Sequence, residues 1–404
     1  MKIQTKYGEA YVLTDCPLID STESLEWLTA VHESYDGSEE RYLLRDAPRQ
    51  VLNFSYLAMR KAMGDMFHLL YANLRGQWAI PLPMVKRSIP DLDNEDYIAF
   101  DPTDTIADLR ADSYALIRSD EGDQVVEIIA RGRYIITQEE IIDPETEEVI
   151  QELETEYQDG FRLAEPVTAT NAFIMPLRIC ILDGDASINA GHQWMKAPFV
   201  FRVLAEDLPE HEGDEPEQYK SKDIYWNPLI LDGDSLEMTL TQHQNVVDNS
   251  VGVFQQFTHH SKPKYLKPFT SILKTWAEYQ AYRRFLFRRE GRFREFWMPL
   301  QEKHLNILNT ANITTSLSTN TKYIVEANRK HIAVKRKDDT WSAHEITART
   351  GGSLTVTPSI ATHANDIDYI CYLGLYRLDA DQITFEFLGA GMSRVTVPIV
   401  EIES

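Results

Sequence analysis

Two pairs of aspartates in this sequence have the spacing of oxygen ligands for a calcium ion. Asp183 and Asp185 lie in one Leu-Asp-Gly-Asp run, and Asp232 and Asp234 lie in another. A calcium loop needs about six oxygen atoms from neighbouring positions, and neither run continues with the further acids that an EF-hand type loop supplies. Asp-Gly is also a favoured hairpin turn. We therefore expect both runs to form turns, and we predict no metal site.

Other residue patterns that could support catalysis are equally weak. His259 and His260 are adjacent, so on a strand their rings would point to opposite faces and could not readily share a metal. Glu139 and Glu140 could act together on a glycoside, but they lie in a run of solvated acids, where the raised pKa of a general acid is least expected. The sequence contains no H-E-x-x-H, G-x-S-x-G or glycine-rich phosphate motif. We predict that the chain is not an enzyme and uses no cofactor.

Composition and charge exclude further classes of protein. The chain has 404 residues, and no apolar run approaches the roughly 18 residues of a bilayer span, so we predict no membrane span. Cys16, Cys180 and Cys371 are isolated, which disfavours disulfides and zinc. The formal net charge of -23 would repel the phosphate backbone, so we predict no specific nucleic-acid binding. The N-terminus lacks the apolar core of a signal peptide, so we expect folding in a cytoplasm.

The stretch from Lys264 to Leu300 carries the clearest structural pattern. Its apolar residues recur at spacings of three and four, which predicts one buried face of a helix. Gly291 can take the left-handed conformation that ends a helix, and the alternation after it predicts a strand that ends at Pro299. The residues of the predicted helical stripe are Phe269, Ile272, Leu273, Trp276, Tyr279, Tyr282, Phe285 and Leu286.

A second copy of this pattern lies 215 residues earlier in the chain. The matched positions are Pro48 and Pro263, Arg49 and Lys264, Phe54 and Phe269, Ala62 and Ala277, Phe67 and Tyr282, Leu70 and Phe285, and Gly76 and Gly291. Further matches follow in the same order downstream: the runs from Ser113 and Lys330, from Ala172 and Asp368, and from Pro198 and Val397. A shared order of elements over this length indicates an internal repeat.

We therefore predict an α+β, mainly β fold built as a tandem duplication. Each unit would contain one amphipathic helix, one aromatic strand and a small antiparallel barrel or sandwich. The predicted divisions are an N-terminal strand or arm at residues 1–24, a first repeat at 25–205 with an acidic insert at 138–160, an acidic linker at 206–224, and a second repeat at 225–404.

A cluster of arginines surrounds the end of the predicted second helix. Its interleaved aromatic residues give it a superficial likeness to a nucleic-acid patch, but they follow the period that buries them, and the net charge of the chain is opposite. Planar guanidinium groups suit carboxylates, so we predict ion pairs with acidic segments of the same or a neighbouring subunit, the alternative being a solvated helix face. The candidate interface residues are Arg283, Arg288, Arg289, Arg292, Arg294 and Trp297. Replacing Arg289 and Arg292 with glutamate is expected to impair assembly and leave the monomer folded.

Three blocks of the sequence carry a family resemblance. They are RYLLRDAPR at Arg41–Arg49, RREGRFREFWMP at Arg288–Pro299, and YRLDADQITF at Tyr376–Phe385 followed by Val400–Ile402. Together they resemble tail-tip proteins of tailed bacteriophages, namely the distal tail and minor tail proteins of the long, non-contractile type. The chain departs from that family in carrying its unit twice and in its acidic inserts.

The resemblance implies a structural subunit of the virion, assembled in the host cytoplasm. Such a subunit forms a homo-oligomeric ring, a trimer or a hexamer, at the distal end of the tail tube. It joins the tube to the hub or receptor-binding proteins, and its partners are the tube, tape measure and hub proteins. Tubes of this family are six-fold and tips are often three-fold, so a subunit with two similar units could act as an adaptor between the two symmetries.

Two further expectations concern the surface of the assembly. If the ring encloses the DNA channel, part of the acidic surplus should line it, because like charge keeps passing DNA from adhering. The alternative function is a carbohydrate-binding β-sandwich module for host-surface recognition. That module would present Trp194, Trp226 and Trp341 as exposed platforms on one face.

Overall fold

A computed structural model gives the fold of the chain. It describes residues 1–19, 21–34, 36–99, 109–142, 149–204, 216–226, 239–242, 244–248, 250, 252–258, 264–300, 305–320, 329–389 and 391–402. The predictions for Asp232 and Asp234 and for the pair His259 and His260 lie outside these residues.

The first half of the chain, residues 1–204, is mainly β-strand around the helix α1 (Lys61–Asn73). A short 3-10 helix spans Pro83–Val85. The strands are β1 (Lys2–Thr5), β2 (Gly8–Val12), β3 (Thr22–Glu26), β4 (Thr29–Glu33), β5 (Glu39–Leu43), β6 (Arg49–Met59), β7 (Gln77–Pro81), β8 (Arg87–Ser88), β9 (Leu92–Ala99), β10 (Ser113–Ser119), β11 (Gly122–Ile142), β12 (Val149–Ala169), β13 (Phe173–Leu182), β14 (Asn189–Ala190) and β15 (Trp194–Val203).

The second half, residues 216–402, is likewise mainly β-strand around the helix α2 (Trp276–Arg289). A short 3-10 helix spans Ala364–Asp366. The strands are β16 (Gln218–Tyr219), β17 (Lys222–Asp223), β18 (Thr239–Thr241), β19 (Asn245–Val247), β20 (Gln255–Phe257), β21 (Lys264–Leu273), β22 (Phe296–Pro299), β23 (Asn312–Ile313), β24 (Ser316–Ser318), β25 (His331–Arg336), β26 (Trp341–Thr350), β27 (Ser353–Thr357), β28 (Thr362–His363), β29 (Ile367–Leu378), β30 (Gln382–Gly389) and β31 (Met392–Glu401).

The two halves have corresponding antiparallel pairings. In the first half β6 pairs with β15, β15 with β13, β13 with both β7 and β10, β10 with β11, and β11 with β12. In the second half β21 pairs with β31, β31 with β29, β29 with both β22 and β25, β25 with β26, and β26 with β27. In the chain, α1 lies between β6 and β7, and α2 lies between β21 and β22. The structure is mainly β-strand, which confirms that part of the fold predicted from the sequence.

Strand β3 joins the two halves into one sheet. On one side it pairs with β6 of the first half, and on the other side it pairs with β30 of the second half. Leu25 and Trp27 are buried in the same cluster as the apolar face of α2. Trp276, the first residue of α2, packs against this cluster and also against the main cluster of the first half. The hydrophobic core is therefore continuous across the contact between the two halves, which we call the joint.

The predicted start of the second helix is wrong. Lys264–Leu273 forms strand β21, which pairs with β31 from Leu266 to Leu273, and α2 begins only at Trp276. The side chain of Thr275 caps the helix by accepting a hydrogen bond from the backbone N–H of Glu278 at 3.2 Å. The backbone groups of β21 are satisfied by the sheet, so the spacing of three and four between its apolar residues did not determine its conformation.

The predicted N-terminal strand, the end of the predicted acidic linker and the predicted acidic insert all contain strands that pair within the chain. The N-terminal strand pairs inside the chain, since β2 is antiparallel to β1 and parallel to β7, with Ala10 opposite Gln77. The predicted acidic linker ends in the hairpin β16–β17, and Ile224 after it bridges to Trp297 in parallel. The predicted acidic insert lies at the end of a long hairpin, because the pairing of β11 with β12 continues to Ile142.

The helices α1 and α2 have 13 and 14 residues. In the part of the chain that the structure describes, neither helix combines the length and the apolar character needed to cross a bilayer.

The turn after α2 gives a test of the joint. Gly291 has a φ of 65°, and a Cβ atom there would lie 2.8 Å from Cβ of Trp27 and 2.5 Å from Oδ1 of Asp381. We predict that Gly291→Ala lowers the free energy of unfolding by about 1–3 kcal/mol, measured by urea denaturation. Gly64→Ala in α1 is the matched control, because nothing lies within 4 Å of its Cβ position. This control should gain about 0.5–1 kcal/mol, and equal effects of both changes would contradict the steric argument.

Candidate subunit interface

Arg289, one of the predicted interface residues, is buried inside its own chain. Its guanidinium forms an ion pair with Asp223 and donates a hydrogen bond to the backbone oxygen of Glu295 at 2.7 Å. Burial lowers the pKa of Arg289 to about 10, against the opposing charge of Asp223. The group stays cationic near neutral pH and fixes the hairpin β16–β17 to the end of α2.

Two other predicted interface residues are also buried. Arg283 pairs with the buried Glu23 of β3 at 3.1 Å. Trp297 packs its ring edge-on against His331, with the ring centroids 4.6 Å apart. Together with Arg289, these side chains are covered by their own chain and cannot contact a neighbouring subunit. For these three residues the interface prediction is therefore corrected, because the aromatic residues around them draw them into the core.

The remaining arginines of the cluster are partly exposed. Arg288 lies 3.3 Å from Asp223, and Arg294 lies 2.8 Å from Glu290. Arg292 lies 3.7 Å from Asp381. Their acidic partners belong to the same chain, which is one of the two arrangements the sequence predicted, and an additional contact with a neighbouring subunit stays a prediction.

The burial of Arg289 replaces the expectation that the monomer tolerates its charge reversal. Arg289→Glu would place two carboxylates together in the core, so we predict a loss of at least about 3–5 kcal/mol in the free energy of unfolding. Arg294→Glu is the exposed control and should change it by less than about 1 kcal/mol. Urea denaturation of both variants tests this, and a fully stable Arg289→Glu chain would show that the ion pair with Asp223 is dispensable.

Contacts between the two halves are made by a segment we call the first arm, Thr22–Leu43, which comprises β3, β4 and β5. Beyond the pairing of β3 with β30, the backbone N–H of Trp27 donates to the backbone oxygen of Asp381 at 2.9 Å. The N–H of Thr29 donates to the carboxylate of the same aspartate at 2.8 Å. Asp381 therefore fixes the path of the arm as it leaves the sheet.

Charged side chains of the first arm are seated on the second half. Glu39 receives two hydrogen bonds from Arg377, at 2.7 and 3.1 Å, and both side chains are buried. Lys264 lies 2.6 Å from Glu33 and 3.3 Å from Glu39. Arg41 donates to Glu295 at 2.5 Å. Because hydrogen-bonded ion pairs out of water depend strongly on geometry, these contacts specify where the arm lies.

The pKa values of the buried acids show which effect prevails at the joint. Burial favours the neutral form of Glu39, but the hydrogen bonds from Arg377 and the positive charges of Arg377 and Lys264 outweigh it and hold its pKa below the ordinary value. Burial likewise opposes ionisation of Glu295, and Lys222 and Arg41 hold the pKa of this carboxyl below its ordinary value. Both acids are ionised at neutral pH.

These residues were not among the sequence predictions, although the sequence carries one signal for Arg377 and another for the true start of α2. Arg377 interrupts the uncharged run from Tyr369 to Leu378 in β29, and a buried cation there requires an acceptor. Thr275 and Glu278 have the Thr-x-x-Glu spacing of a capping box, which marks the true start of α2. The identity of the acids that pair across about 340 residues depends on the tertiary fold alone.

The depressed pKa of Glu39 makes the joint sensitive to acid. A carboxyl group with a lowered folded-state pKa stabilises the protein above its ordinary pKa of 4.5, and this contribution is lost as the pH falls below that value. We predict that Glu39→Gln costs about 3 kcal/mol at pH 7 and flattens the acid limb of stability against pH. Glu33→Gln, which changes an exposed partner of the same lysine, is the control. Parallel acid limbs in all three proteins would contradict the role of Glu39.

Two groups of exposed apolar side chains stand out in the described part of the chain. One lies on and beside α1 and is called the α1 face; its members are Leu57, Met59, Phe67 and Tyr71. The other lies on the segment 239–258, called the second arm, which comprises β18, β19 and β20; its members are Leu240, Val246, Val247, Val253, Phe254 and Phe257. Clustered exposed apolar side chains of this kind mark interaction surfaces.

The tryptophans of the alternative function lie in different surroundings. Trp226 and Trp341 stack on each other at 5.5 Å between ring centroids, and both are only partly exposed. Trp194 is exposed at the start of β15 in the first half. The stacked pair presents less ring surface to a sugar than two separate platforms would.

The first Leu-Asp-Gly-Asp run follows β13 and makes ion pairs. Asp183 lies 2.6 Å from Arg202, and Asp185 lies 3.1 Å from Arg75. Among the described residues, no three histidine, cysteine or acidic side chains are grouped as metal ligands would be.

In comparisons with known proteins, the chain matches no protein-family model and no characterised protein.

Proposed function

We propose that this chain is a structural subunit of a bacteriophage tail tip or baseplate, built from two copies of one unit. It forms a ring at the distal end of the tail tube and joins the tube to the hub or receptor-binding proteins. The observation that carries the proposal is the repeated pairing of equivalent strands in equivalent register, because a chain with two similar units is suited to mate surfaces of different symmetry. The tail location comes from the resemblance of the three sequence blocks.

The register at the start of the two halves supports the duplication. Ser24 lies opposite Val51 in the pairing of β3 with β6, and Thr239 lies opposite Leu266 in the pairing of β18 with β21. Both residues of the second pair are 215 positions beyond those of the first. The helices keep the same offset, since α1 begins at Lys61 and α2 begins at Trp276.

The arms follow the same rule. Val31 lies opposite Arg41 in the hairpin β4–β5, and Val246 lies opposite Gln256 in the hairpin β19–β20. These pairs are again 215 positions apart, although their side chains differ. Shared register with different side chains is the pattern expected when a duplicated unit keeps its backbone while its surfaces diverge.

An irregularity of the sheet also recurs. The pairing of β11 with β12 shifts register between Ile128 and Ala130, and the pairing of β26 with β27 shifts between Ile346 and Ala348. The sequence match had placed Ile128 opposite Ile346. Bulges are preserved features of a fold rather than accidents of packing, so a bulge at matched positions supports common descent of the two units.

Two units in one chain lead to a definite ring. Three chains would present six similar units to the tube. Where the two units of a chain differ, the surface on the other side of the ring would repeat only three times, so the chain would act as an adaptor between six-fold and three-fold neighbours. The acidic segments that would line the DNA channel lie mostly outside the residues whose side chains are described.

The alternative, a carbohydrate-binding β-sandwich module, is compatible with the β-rich fold. It requires exposed aromatic platforms on one face, and the mutual stacking of Trp226 and Trp341 provides less of such a surface. Binding of the purified chain to host-surface polysaccharide, lost on Trp194→Ala, would favour this alternative.

Electron microscopy of the purified chain and of phage particles tests the proposed function. We predict rings with six lobes whose mass, measured by light scattering, is that of three chains. Gold-labelled antibodies against the chain should bind one end of the phage tail. Six chains in the ring would remove the adaptor role, and labelling elsewhere on the particle, or none, would remove the tail-tip location.

A further inference from the structure

We propose that the second arm of one copy docks onto the α1 face of a neighbouring copy, in the way that the first arm docks onto the second half of its own chain. The inference deepens the proposed function and rests on its duplication, although it needs no assumption about where the ring lies in a virion. The predicted occupant of the α1 face is thus a second copy of this chain.

The second arm has the form of the first arm without its covering. In the first arm, Leu25 is 1% exposed because β3 lies between β6 and β30 above the face of α2. Its counterpart in the second arm, Leu240, is 58% exposed. In the described part of the chain β18 pairs with β21 alone, so its other edge is open to a further strand.

The α1 face has the form of the α2 face without its arm. Leu286 is fully buried in the cluster that also holds Leu25 and Trp27 of the first arm, whereas its counterpart Tyr71 is 84% exposed. Tyr282 is buried, and its counterpart Phe67 is exposed. A helix face that keeps large apolar residues while its covering segment is absent indicates a surface that is buried in an assembly.

One pair of contacting side chains has changed at both of its positions between the two units. At the joint within the chain, the buried ion pair joins Glu39 of the first arm to Arg377 of β29. The counterpart of Glu39 is Phe254 in the second arm, and the counterpart of Arg377 is Ile181 in β13. Phe254 and Ile181 are both exposed in the free chain. An ion pair in one joint therefore corresponds to an apolar pair in the other, as expected if the two positions meet.

The register fixes the second of these equivalences. Arg377 lies opposite Val400 in the pairing of β29 with β31, and Ile181 lies opposite Arg202 in the pairing of β13 with β15. The next pairings along each strand also correspond, with Leu378 opposite Ile399 as Leu182 is opposite Phe201.

A second ion pair keeps its charges in the other unit. Lys264 of β21 pairs with Glu33 of the first arm at 2.6 Å. The counterparts are Arg49 of β6 and Asp248 of the second arm, which are again a cation and an acid and are both exposed. The surfaces proposed to meet are therefore complementary in charge as well as in apolar character.

The equivalence also gives a role to the first Leu-Asp-Gly-Asp run. It corresponds to the run Leu378–Asp381, in which Asp381 accepts the backbone N–H of Thr29 in the first arm. The counterpart of Asp381 is Asp185, and its side chain is 93% exposed. In the joint between copies, Asp185 would accept the backbone N–H of Gln244, the counterpart of Thr29. Asp185, which has the spacing of a calcium ligand in the sequence, would thus act as a hydrogen-bond acceptor for the backbone of a neighbouring copy.

The contact is head to tail, because the second arm of each copy binds the first half of the next. Such contacts generate a closed ring when the rotation between copies closes. Every unit would then carry one seated arm, alternately its own chain's and its neighbour's.

Exchanging the apolar pair for the charged pair tests the joint. The variants are Phe254→Glu, Ile181→Arg and the double variant, with Ile129→Arg as a control at an exposed isoleucine outside both surfaces. The mass of each full-length chain is measured by light scattering over a dilution series, and its folding by circular dichroism and urea denaturation.

We expect the unmodified chain and the control to form the same oligomer. Each single variant should stay folded and raise the dissociation constant roughly a hundredfold, because an unpaired charge is buried at the joint. The double variant should restore the oligomer.

Three results would overturn the inference: an unmodified chain that is monomeric at every concentration reached, single variants that keep the mass of the control, or a double variant that assembles no better than either single one. The experiment uses purified chains, so antibody labelling away from the tail tip would remove the proposed location and leave the joint intact. Labelled tail tips together with assembly-competent single variants would remove the joint and leave the location intact.

Discussion

The fold depends on the seating of the first arm between the two halves. Strand β3 completes the sheet between β6 and β30, and the buried acids of this arm, Glu23 and Glu39, meet arginines of the second half. The hydrogen bonds of the sheet connect the two halves. The ion pairs fix where the arm lies, because a buried charge is stable only where a partner of opposite charge is well placed. The second half thus uses part of the first half as its own core.

This arrangement explains which parts of the structure could be predicted from sequence. The strand and helix order and the offset of 215 were visible because matched positions in the two halves carry the same residue type, as with Phe54 and Phe269 or Gly76 and Gly291. The strand Lys264–Leu273 was mistaken for helix because its apolar spacing fits both periods and its partner β31 lies over a hundred residues away. Local patterns cannot distinguish two conformations when a distant strand decides between them.

The candidate site was harder to predict for a related reason. The arginines near the end of α2 stood out as a charged cluster, and the prediction of ion pairs was sound in its chemistry. Burial of Arg283 and Arg289 could not be deduced, because their partners Glu23 and Asp223 come from separate segments that fold over the helix. Charge density in a sequence shows where ions are concentrated, and only the fold shows which of them face solvent.

The buried pair Glu39 and Arg377 has a consequence for the strength of the contact within the chain compared with the proposed contact between copies. Within one polypeptide the arm is tethered, so its effective concentration at the second half is high, and a contact that contributes little net free energy is sufficient. A separate molecule enjoys no tether and must overcome the loss of translational and rotational freedom, for which apolar burial is the stronger source of free energy. At the position where the two contacts differ, an ion pair of Glu39 with Arg377 within the chain and the apolar residues Phe254 and Ile181 in the proposed contact between copies are the distribution that this difference in entropy favours.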